Sequence, residues 1–268
     1  MRGAGGRGAG GDVDTRSLSA TDRSAFPAGA GRGGPQRIPR PSSACSGAPA
    51  PWADRAPAVV TVADVAAAFA RQPAVAGQSV LVPVPELPLS GWRQAAVLCA
   101  VFDWPAGAAT CAGASEAQAH VVLTRRSTRL RSHTGEVAFP GGRLEPGEEP
   151  LAAALREAHE EVGIDPAGVE ILGRLSSLST VAHPAPILPF VGSLAGPPQL
   201  VPNPAEVDRA FTVALVDLLG PGVYHEELWA GPEGEQRPVH FFDVVGDTVW
   251  GATARMLREL LALLVVPY

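Results

Sequence analysis

The segment 141–164, GGRLEPGEEPLAAALREAHEEVGI, constrains the fold more than any other part of the chain. Pro146-Gly147 indicates a turn, and Pro150 suits the first turn of a helix, where its missing N–H would have no partner in any case. We therefore predict that a helix begins near Pro150. Its apolar residues recur with helical spacing and are expected to form one stripe facing the core. That stripe consists of Leu151, Leu155, Ala158 and Val162.

Three glutamates share a different face of the same helix. Glu157, Glu160 and Glu161 are spaced i, i+3 and i+4, so their like charges repel one another and favour a bound cation. Oxygen ligands alone favour Mg²⁺ or Mn²⁺, which bind through few carboxylates together with water and substrate phosphates. A zinc site would need Cys or His, for which His159 is the candidate in this helix. The alternative is a solvated acidic helix face.

Two adjoining motifs resemble those of a known enzyme family. Gly142, Glu148, Arg156-Glu157, Glu160-Glu161 and Gly163-Ile164 are similar to the Nudix box, G-x5-E-x7-R-E-U-x-E-E-x-G-U, where U is a bulky aliphatic residue. Ala158 at the first U is the one soft departure from this pattern. The run 122–142, VLTRRSTRLRSHTGEVAFPGG, resembles the coenzyme A pyrophosphatase branch motif, L-L-T-x-R-[SA]-x3-R-x3-G-x3-F-P-G-G. Both motifs share Gly142, which keeps them in register.

The resemblance implies roles for the residues of the box. Glu157 and Glu161 would be the principal metal ligands, and Glu160 would be a further ligand or a base. Arg156 and Glu148 would form an ion pair that ties the loop to the helix. The last two glycines of the shared motif would let the backbone approach the metal closely, with a backbone carbonyl as a further candidate ligand. These two are Gly141 and Gly142.

The arginines before the box are the candidates for binding substrate. Arg126 and Arg131 occupy motif positions, and a guanidinium group presents a planar fork suited to phosphate oxygens. With Arg125 and Arg129 they make four arginines in seven residues, for which the alternative is a solvated basic loop. Glu136 departs from the branch, whose bacterial members often carry Gln there, and a carboxylate beside these arginines is a candidate for altering substrate choice.

Outside the motifs, Glu206 is the candidate loop carboxylate that activates water, because the family varies in the origin of its base. It follows Asn203-Pro204, so the alternative is a Glu at a helix start, favoured there by the helix dipole. His133 is expected to bond loop backbone rather than phosphate. His159 is expected to be exposed rather than a ligand.

Hydrophobic patterns predict both strands and helices. Continuous or alternating apolar runs predict strands over 94–104, 120–125, 169–175 and 187–194, and a hairpin over 239–250. Helical spacing predicts helices over 61–71, with Thr61 as N-cap, and over 253–265, with Thr253 capping and Trp250 packing before it. A short helix around 206–209 is expected before a strand-like FTVALV. Together with the resemblance, these elements predict a Nudix-like α/β/α sandwich with a mixed β-sheet.

Composition divides the chain into three parts. Residues 1–57 are rich in Gly, Ala, Pro, Ser and Arg, with little apolar periodicity, and are expected to be a disordered low-complexity segment. A start codon placed too far upstream or an interaction tail would look the same. Residues 58–91 are expected to hold a short helix and a Pro-rich connector, and residues 92–268 the Nudix hydrolase domain.

Charge and cysteine content exclude several classes of function. The net charge of −6 argues against a general binder of nucleic acid or of acidic membranes. No apolar run reaches the length of about 18 residues that a membrane-spanning helix needs. The amino terminus lacks the apolar stretch of a secretory signal and the amphipathic pattern of a transit peptide. Three cysteines without CxxC spacing fit a reducing cytoplasm.

These observations lead to one principal hypothesis. We expect a Mg²⁺- or Mn²⁺-dependent enzyme that hydrolyses coenzyme A or acyl-CoA to 3',5'-ADP and 4'-phosphopantetheine or its acyl form. It would be cytoplasmic and act on a small-molecule nucleotide, with a homodimer as one possible assembly. A second hypothesis keeps the chemistry but changes the substrate to ADP-ribose, a nucleotide sugar or a nucleoside triphosphate. A third is a regulatory module that binds a nucleotide without cleaving it.

Overall fold

The computed structural model describes residues 33–71, 94–105, 117–130, 132–180, 186–231, 234–244 and 246–265. The strands in chain order are β1 (Cys45–Ser46), β2 (Ala95–Trp104), β3 (Gln118–Arg126), β4 (Val137–Ala138), β5 (Gly141–Arg143), β6 (Val169–Arg174), β7 (Ile187–Leu194), β8 (Val207–Ala214), β9 (Tyr224–Ala230), β10 (Gln236–Val244) and β11 (Asp247–Trp250). The helices are α1 (Val62–Arg71), α2 (Pro150–Val162), α3 (Leu215–Leu218) and α4 (Gly251–Val265). A 3-10 turn covers Pro166–Gly168.

The larger sheet is mixed. Its strand order is β4-β3-β2-β7-β6, with β5 paired to β2 and β8 paired to β3. Strands β2 and β7 run parallel, whereas β2 is antiparallel to both β3 and β5. Because β2 lies centrally with both faces covered, its sequence is a continuous apolar run rather than an alternating one. The mixed α/β fold predicted from the sequence is thus confirmed.

Side chains of β2 alternate between two cores, which separates the helices into layers. Leu98 and Phe102 point into a core that includes Ala154 and Ala158 of α2. Cys99 and Val101 point into the other core, which includes Leu257 of α4 and also side chains of α1 and of the second sheet. Helix α2 therefore lies on one face of the larger sheet, and α1 and α4 lie on the other.

The second sheet has the order β1-β9-β10-β11 and is antiparallel throughout. The β10–β11 pair is the hairpin predicted over 239–250, with Val244 opposite Asp247. Strand β9 had no counterpart in the sequence analysis, because YHEELWA contains three consecutive polar residues. They are satisfied inside the fold: Glu226, for example, accepts hydrogen bonds from Tyr224 Oη and from the Ala48 N–H.

The prediction of disorder over residues 1–57 is wrong for residues 33–57. Cys45 and Ser46 pair with β9, and Arg40 donates to Glu227 at 2.9 Å. Trp52 is only 1% exposed and lies against Tyr224 and Phe242, with ring centroids 5.3 and 6.1 Å away. Residues 1–57 as a whole have few large apolar side chains, but the buried indole of Trp52 supplies a large apolar contact area. Residues 1–32 lie outside the described part.

We expect Trp52→Ala to lower the free energy of unfolding by about 3–5 kcal/mol, the usual cost of deleting a large buried aromatic side chain. Chemical denaturation monitored by circular dichroism measures this change. Arg55→Ala is the matched control, since Arg55 is exposed and lies three residues further along the same turn. A Trp52→Ala protein as stable as Arg55→Ala would show that the segment does not dock in solution.

Other predictions are confirmed or corrected in detail. Helix α1 begins after Thr61, whose hydroxyl accepts from the Asp64 N–H at 3.3 Å, so Thr61 is its cap as predicted. The prediction of a helix around 206–209 is wrong, because residues Val207–Ala214 form a strand that pairs with β3. Helix α4 begins at Gly251, so Thr253 is a buried helical residue and not its cap.

The connector predicted over 73–91 lies outside the described residues. No helix in the described residues has the length and apolarity needed to cross a membrane.

Candidate active site

Helix α2 carries the acidic residues and begins at Pro150 as predicted. It ends at Val162, and the next residue, Gly163, donates its N–H to the His159 carbonyl oxygen at 2.9 Å. The left-handed backbone of Gly163, with φ of 76°, then reverses the chain so that the Ile164 N–H donates to the Ala158 carbonyl oxygen at 3.4 Å. The buried stripe differs from the prediction. Ala158 and Val162 are buried, but Leu151 and Leu155 are only half-buried. Ala153 and Ala154 take the central places, because small side chains let α2 approach β2 closely.

Three carboxylates converge at the carboxyl-terminal half of α2. Glu157, Glu161 and Glu206 each offer an oxygen, and these oxygens lie within 4.8 Å of one another. The predicted pair Glu157 and Glu161 is therefore brought together, one helical turn apart. Glu206 joins them from a different part of the chain.

Backbone hydrogen bonds hold the Glu206 loop against α2. The Val201 and Asn203 N–H groups donate to the Val162 and Glu161 carbonyl oxygens, at 2.9 and 2.8 Å. On the other side, the Ser127 N–H donates to the Glu206 carbonyl oxygen at 2.7 Å. The loop is thus fixed to both α2 and the end of β3. Glu206 lies in a turn and not at a helix start, so its location supports the loop-carboxylate hypothesis over the alternative.

Gly142 leaves room for Glu157. A Cβ atom added at Gly142 would lie 2.4–2.6 Å from the three carboxyl atoms of Glu157, closer than any real contact allows. Gly141 has a left-handed φ of 154°, and an added Cβ would lie 2.4 Å from the Ala96 carbonyl oxygen of β2. The two glycines therefore let β5 fit between β2 and the carboxylates, and their close approach to a metal stays a prediction.

Glu161 is the most buried of the three clustered carboxylates, with 2% exposure. Its Oε2 atom accepts from the Gly141 N–H at 3.1 Å, and its Oε1 atom lies 3.6 Å from Arg126 Nη1. Burial raises its pKa to about 7, with the nearby Glu157 and Glu206 adding to the rise and Gly141 and Arg126 opposing it. Burial also raises the pKa of Glu157, against the opposing effect of Arg156. Burial thus disfavours the charged form of both carboxylates.

Arg156 links the loop to the helix as predicted. Its Nε and Nη2 atoms donate to the two oxygens of Glu148 at 2.8 and 3.0 Å, and this pairing lowers the pKa of Glu148 to about 2. Nη1 reaches Glu157 Oε1 at 3.1 Å, and Nη2 also donates to the Arg143 carbonyl oxygen at 3.3 Å. Arg156 therefore orients Glu157 as well as the loop.

Glu160 does not join the cluster. Its side chain is 52% exposed, and its Oε2 atom accepts from Arg156 Nη1 at 3.0 Å on the outer side of the helix. The sequence spacing predicted all three helical glutamates on one face of α2. In the structure their side chains point in different directions, and only those of Glu157 and Glu161 point toward β5 and Glu206. The structure therefore gives no support to Glu160 as a metal ligand.

The arginines before the box separate into different environments. Arg126 points toward Glu161, and its buried Nε atom has no hydrogen-bond partner among the described residues. Arg125 points to the opposite face, where it and Arg209 donate to the buried carboxylate of Asp247. Successive side chains of a strand point to opposite faces, and this alternation along β3 is the sequence signal that could have predicted the different environments of Arg125 and Arg126. Arg129 is exposed, and Arg131 lies outside the described residues.

Two histidines have local partners. His133 has a positive φ of 54°. Its Nδ1 lies 2.9 Å from Glu136 Oε2, so the prediction that this side chain bonds to loop backbone is wrong. Glu136 is thereby occupied with His133. His159 is exposed as predicted, and its Nδ1–H donates to the Ile164 carbonyl oxygen at 3.2 Å, which ties the end of α2 to the following residue.

The burial of Glu161 predicts an unusual dependence of stability on pH. A carboxyl whose pKa is about 7 when folded, against about 4.3 in an unfolded chain, binds more protons in the folded state between those values. Its contribution to stability is therefore lost as pH rises through this window. We expect the melting temperature of the metal-free protein to fall more steeply than that of Glu161→Gln between about pH 4 and about pH 8, a range that spans both pKa values. Parallel curves from scanning fluorimetry in EDTA would contradict the burial effect.

The residues present fit a divalent cation. Two half-buried carboxylates and one buried carboxylate lie within 4.8 Å of one another, where their like charges repel and favour a bound cation. All the candidate ligand atoms of the cluster are oxygens, which is the donor set that Mg²⁺ and Mn²⁺ prefer. Zinc would have no nitrogen or sulfur ligand in this cluster.

Comparison with known proteins agrees with this geometry. A family model described as NUDIX domain matches residues 104–244. A protein of Photorhabdus laumondii named Uncharacterized Nudix hydrolase NudL is 41% identical over 141 residues, covering 52% of this chain and 74% of that protein. A protein of the same name from Citrobacter koseri is 38% identical over 177 residues, covering 63% of this chain and 81% of it.

Solved structures with a likeness to this chain include a MutT/nudix family protein from Enterococcus faecalis, with a TM-score of 0.41 and 16% identity, covering 75% of this chain and 73% of that one. A binary complex of a C. elegans Ap4A hydrolase has a TM-score of 0.37 and 23% identity, covering 46% of this chain and 81% of that one. By the family model and the sequence relatives, the chain belongs to the Nudix hydrolase family.

Proposed function

We propose that this Nudix hydrolase cleaves the pyrophosphate bond of coenzyme A or an acyl derivative, with Mg²⁺ or Mn²⁺, to give 3',5'-ADP and 4'-phosphopantetheine or its acyl form. The observation that carries the proposal is the convergence of Glu157, Glu161 and Glu206 beside Arg126. The run 122–142, which resembles the coenzyme A pyrophosphatase motif, supplies both Arg126 and the glycines of the site.

Attack of water on a pyrophosphate brings a nucleophile toward an anion, so the site must offset negative charge and orient the water. Divalent cations supply positive charge to phosphate oxygens and lower the pKa of a bound water. Glu157 and Glu161 would hold these ions. Glu206 is the candidate to accept the proton of the attacking water at a carboxylate oxygen, because it enters from a loop and is only partly buried.

Arg126 would bind the pyrophosphate. Its Nη1 atom already lies 3.6 Å from Glu161, so a phosphate oxygen bound near the three carboxylates is within reach of the same guanidinium. Arg131 is proposed as a second phosphate contact from its motif position alone. Arg156 and Glu148 would hold Glu157 in place during turnover.

A substrate screen tests the proposal. Purified protein with Mn²⁺ is incubated with coenzyme A, ADP-ribose, a nucleotide sugar and a nucleoside triphosphate, and products are identified by mass spectrometry. We expect 3',5'-ADP from coenzyme A, formed at least about a thousandfold more slowly by the Glu157→Gln protein. Preferred cleavage of another substrate would keep the chemistry and overturn the choice of substrate. Tight binding of a nucleotide without any product would favour a regulatory module instead.

The cellular setting is part of the same proposal. We infer a cytoplasmic enzyme that acts on a small-molecule nucleotide, with a homodimer as one possible assembly. The described cysteines, Cys45 and Cys99, are both free thiols, which agrees with a reducing compartment.

A further inference from the structure

The amino-terminal segment contacts the turn at Gly135, which lies next to Arg126 of the candidate active site. Residues 33–36 precede the part of the chain that the family model matches, and they lie along β11. Gln36 fixes them there, since its Nε2 atom donates to the carbonyl oxygens of Thr248 and Gly33, each at 2.9 Å. The approach is close: a Cβ atom added at Gly33 would lie 2.9 Å from the Asp247 nitrogen.

The same residues pack directly on Gly135. A Cβ atom added at Gly135 would lie 2.8 Å from Pro35 Cγ and 3.1 Å from the Gln36 nitrogen. Gly135 also has a left-handed φ of 69°, so its backbone conformation and its neighbours both favour glycine. The turn that contains Gly135 is therefore backed by residues 35–36, with room for nothing larger than hydrogen.

Gly135 and Glu136 hold the backbone of Arg126. The Gly135 N–H donates to the Arg126 carbonyl oxygen at 3.0 Å, and the Arg126 N–H donates to the Glu136 carbonyl oxygen at 2.9 Å. His133 Nδ1 lies 2.9 Å from Glu136 Oε2 and completes the turn. The contact with Pro35 and Gln36 is thus one step removed from the arginine that faces Glu161.

Strand β11 makes a second connection to the same place. Asp247 accepts from Arg125 Nη1 at 3.4 Å and from Arg209 Nη1 at 3.0 Å, and its side chain is fully buried. Arg125 is the chain neighbour of Arg126 and lies on the opposite face of β3. Strand β11 therefore contacts Gln36 through Thr248 and contacts Arg125 through Asp247. Gln36 is connected to Arg126 by the Gly135 turn, and Arg125 is connected to Arg126 as its neighbour in the chain.

We propose that Gln36 is a positioning residue for substrate binding: it clamps the amino-terminal segment to β11, so that Pro35 and Gln36 hold the Gly135 turn and Arg126 faces the pyrophosphate site. The role of Arg126 in this proposal rests on the proposed function. A small displacement of Arg126 weakens its contact with a phosphate but leaves Glu157, Glu161 and Glu206 in place. Gln36 therefore affects the binding of substrate rather than the chemical step.

The test compares Gln36→Met, which keeps the size of the side chain and removes both donors, with Gly135→Ala, which disturbs the same contact from the other side. We expect each to raise KM by about tenfold with kcat changed by less than about twofold. Arg40→Ala is the matched control, because Arg40 anchors the same segment to Glu227 on β9, away from the Gly135 turn. Its KM should equal that of the wild type.

Two further measurements separate positioning from loss of folding. Hydrogen exchange of the metal-free proteins should show faster exchange at Gly135 and Arg126 in Gln36→Met, and wild-type exchange there in Arg40→Ala. The double variant Gln36→Met/Gly135→Ala should raise KM by less than the product of the single effects, because both changes break one contact.

Unchanged KM and unchanged exchange in Gln36→Met would overturn the inference, as would an equal rise of KM in Arg40→Ala. The proposed function fails in a different way, through absence of turnover or of Mn²⁺ binding in the wild-type protein. In that case the exchange comparison still decides whether Gln36 holds the Gly135 turn.

Discussion

Glu157→Gln is expected to lower kcat by about a thousandfold or more while the protein stays folded, because phosphoryl transfer depends almost entirely on positioning and electrostatic stabilisation. The Glu157 side chain is half-buried, offers an oxygen to the cluster within 4.8 Å of Glu161 and Glu206, and is oriented by Arg156. Replacing it by an amide of the same shape removes a negative charge from the proposed cation site. Steady-state kinetics with the substrate identified by the screen, together with calorimetric titration of Mn²⁺, measures both consequences.

Glu160→Gln is the matched control for this prediction. Glu160 belongs to the same helix and the same motif, but its exposed carboxylate pairs with Arg156 outside the cluster. We expect kcat to change by less than about tenfold, since this variant removes only a surface ion pair. Equal losses in the two variants would reject the structural distinction between Glu157 and Glu160 and restore the ligand set expected from the sequence.

Gly142→Ala should have the second largest effect. The added methyl group would lie 2.4–2.6 Å from the carboxyl atoms of Glu157, so the carboxylate must leave its present position in the cluster. Gly142 has no left-handed backbone, and the substitution therefore tests the space rather than the conformation. We expect kcat/KM to fall by about a hundredfold, as for other misplacements of catalytic groups by an ångström, and Mn²⁺ to bind more weakly.

Gly168→Ala provides the comparison. Gly168 lies in the 3-10 turn after α2, and a Cβ atom there would meet nothing within 4 Å. Its activity and Mn²⁺ affinity should match those of the wild type. Full activity in Gly142→Ala would mean that the carboxylate of Glu157 has another productive position, and that the close approach of β5 is not needed.

Local sequence patterns were sufficient for the elements whose contacts are also local. Helix α2 begins at Pro150 because proline suits that position, and β2 is buried because its run is apolar throughout. The motif spacing brought Glu157 and Glu161 together, since one helical turn determines their separation. The tie between Arg156 and Glu148 followed from the same motif.

Contacts between distant parts of the chain could not be read from those patterns. Glu206 joins the cluster because backbone bonds from Val201 and Asn203 hold its loop to α2, and no local signal encodes those bonds. A helix was expected around 206–209, but pairing with β3 makes a strand there. Trp52 lies in a segment of low complexity, and its burial depends on Tyr224 and Phe242 far along the chain.

The most direct test of the central claim is a crystal structure of the protein soaked with Mn²⁺, with anomalous scattering used to locate the metal. We expect an anomalous peak bounded by the carboxylates of Glu157, Glu161 and Glu206, with Glu160 directed away from it. A structure in which Mn²⁺ binds elsewhere, or in which Glu157 and Glu161 point apart with no ion between them, would contradict the account.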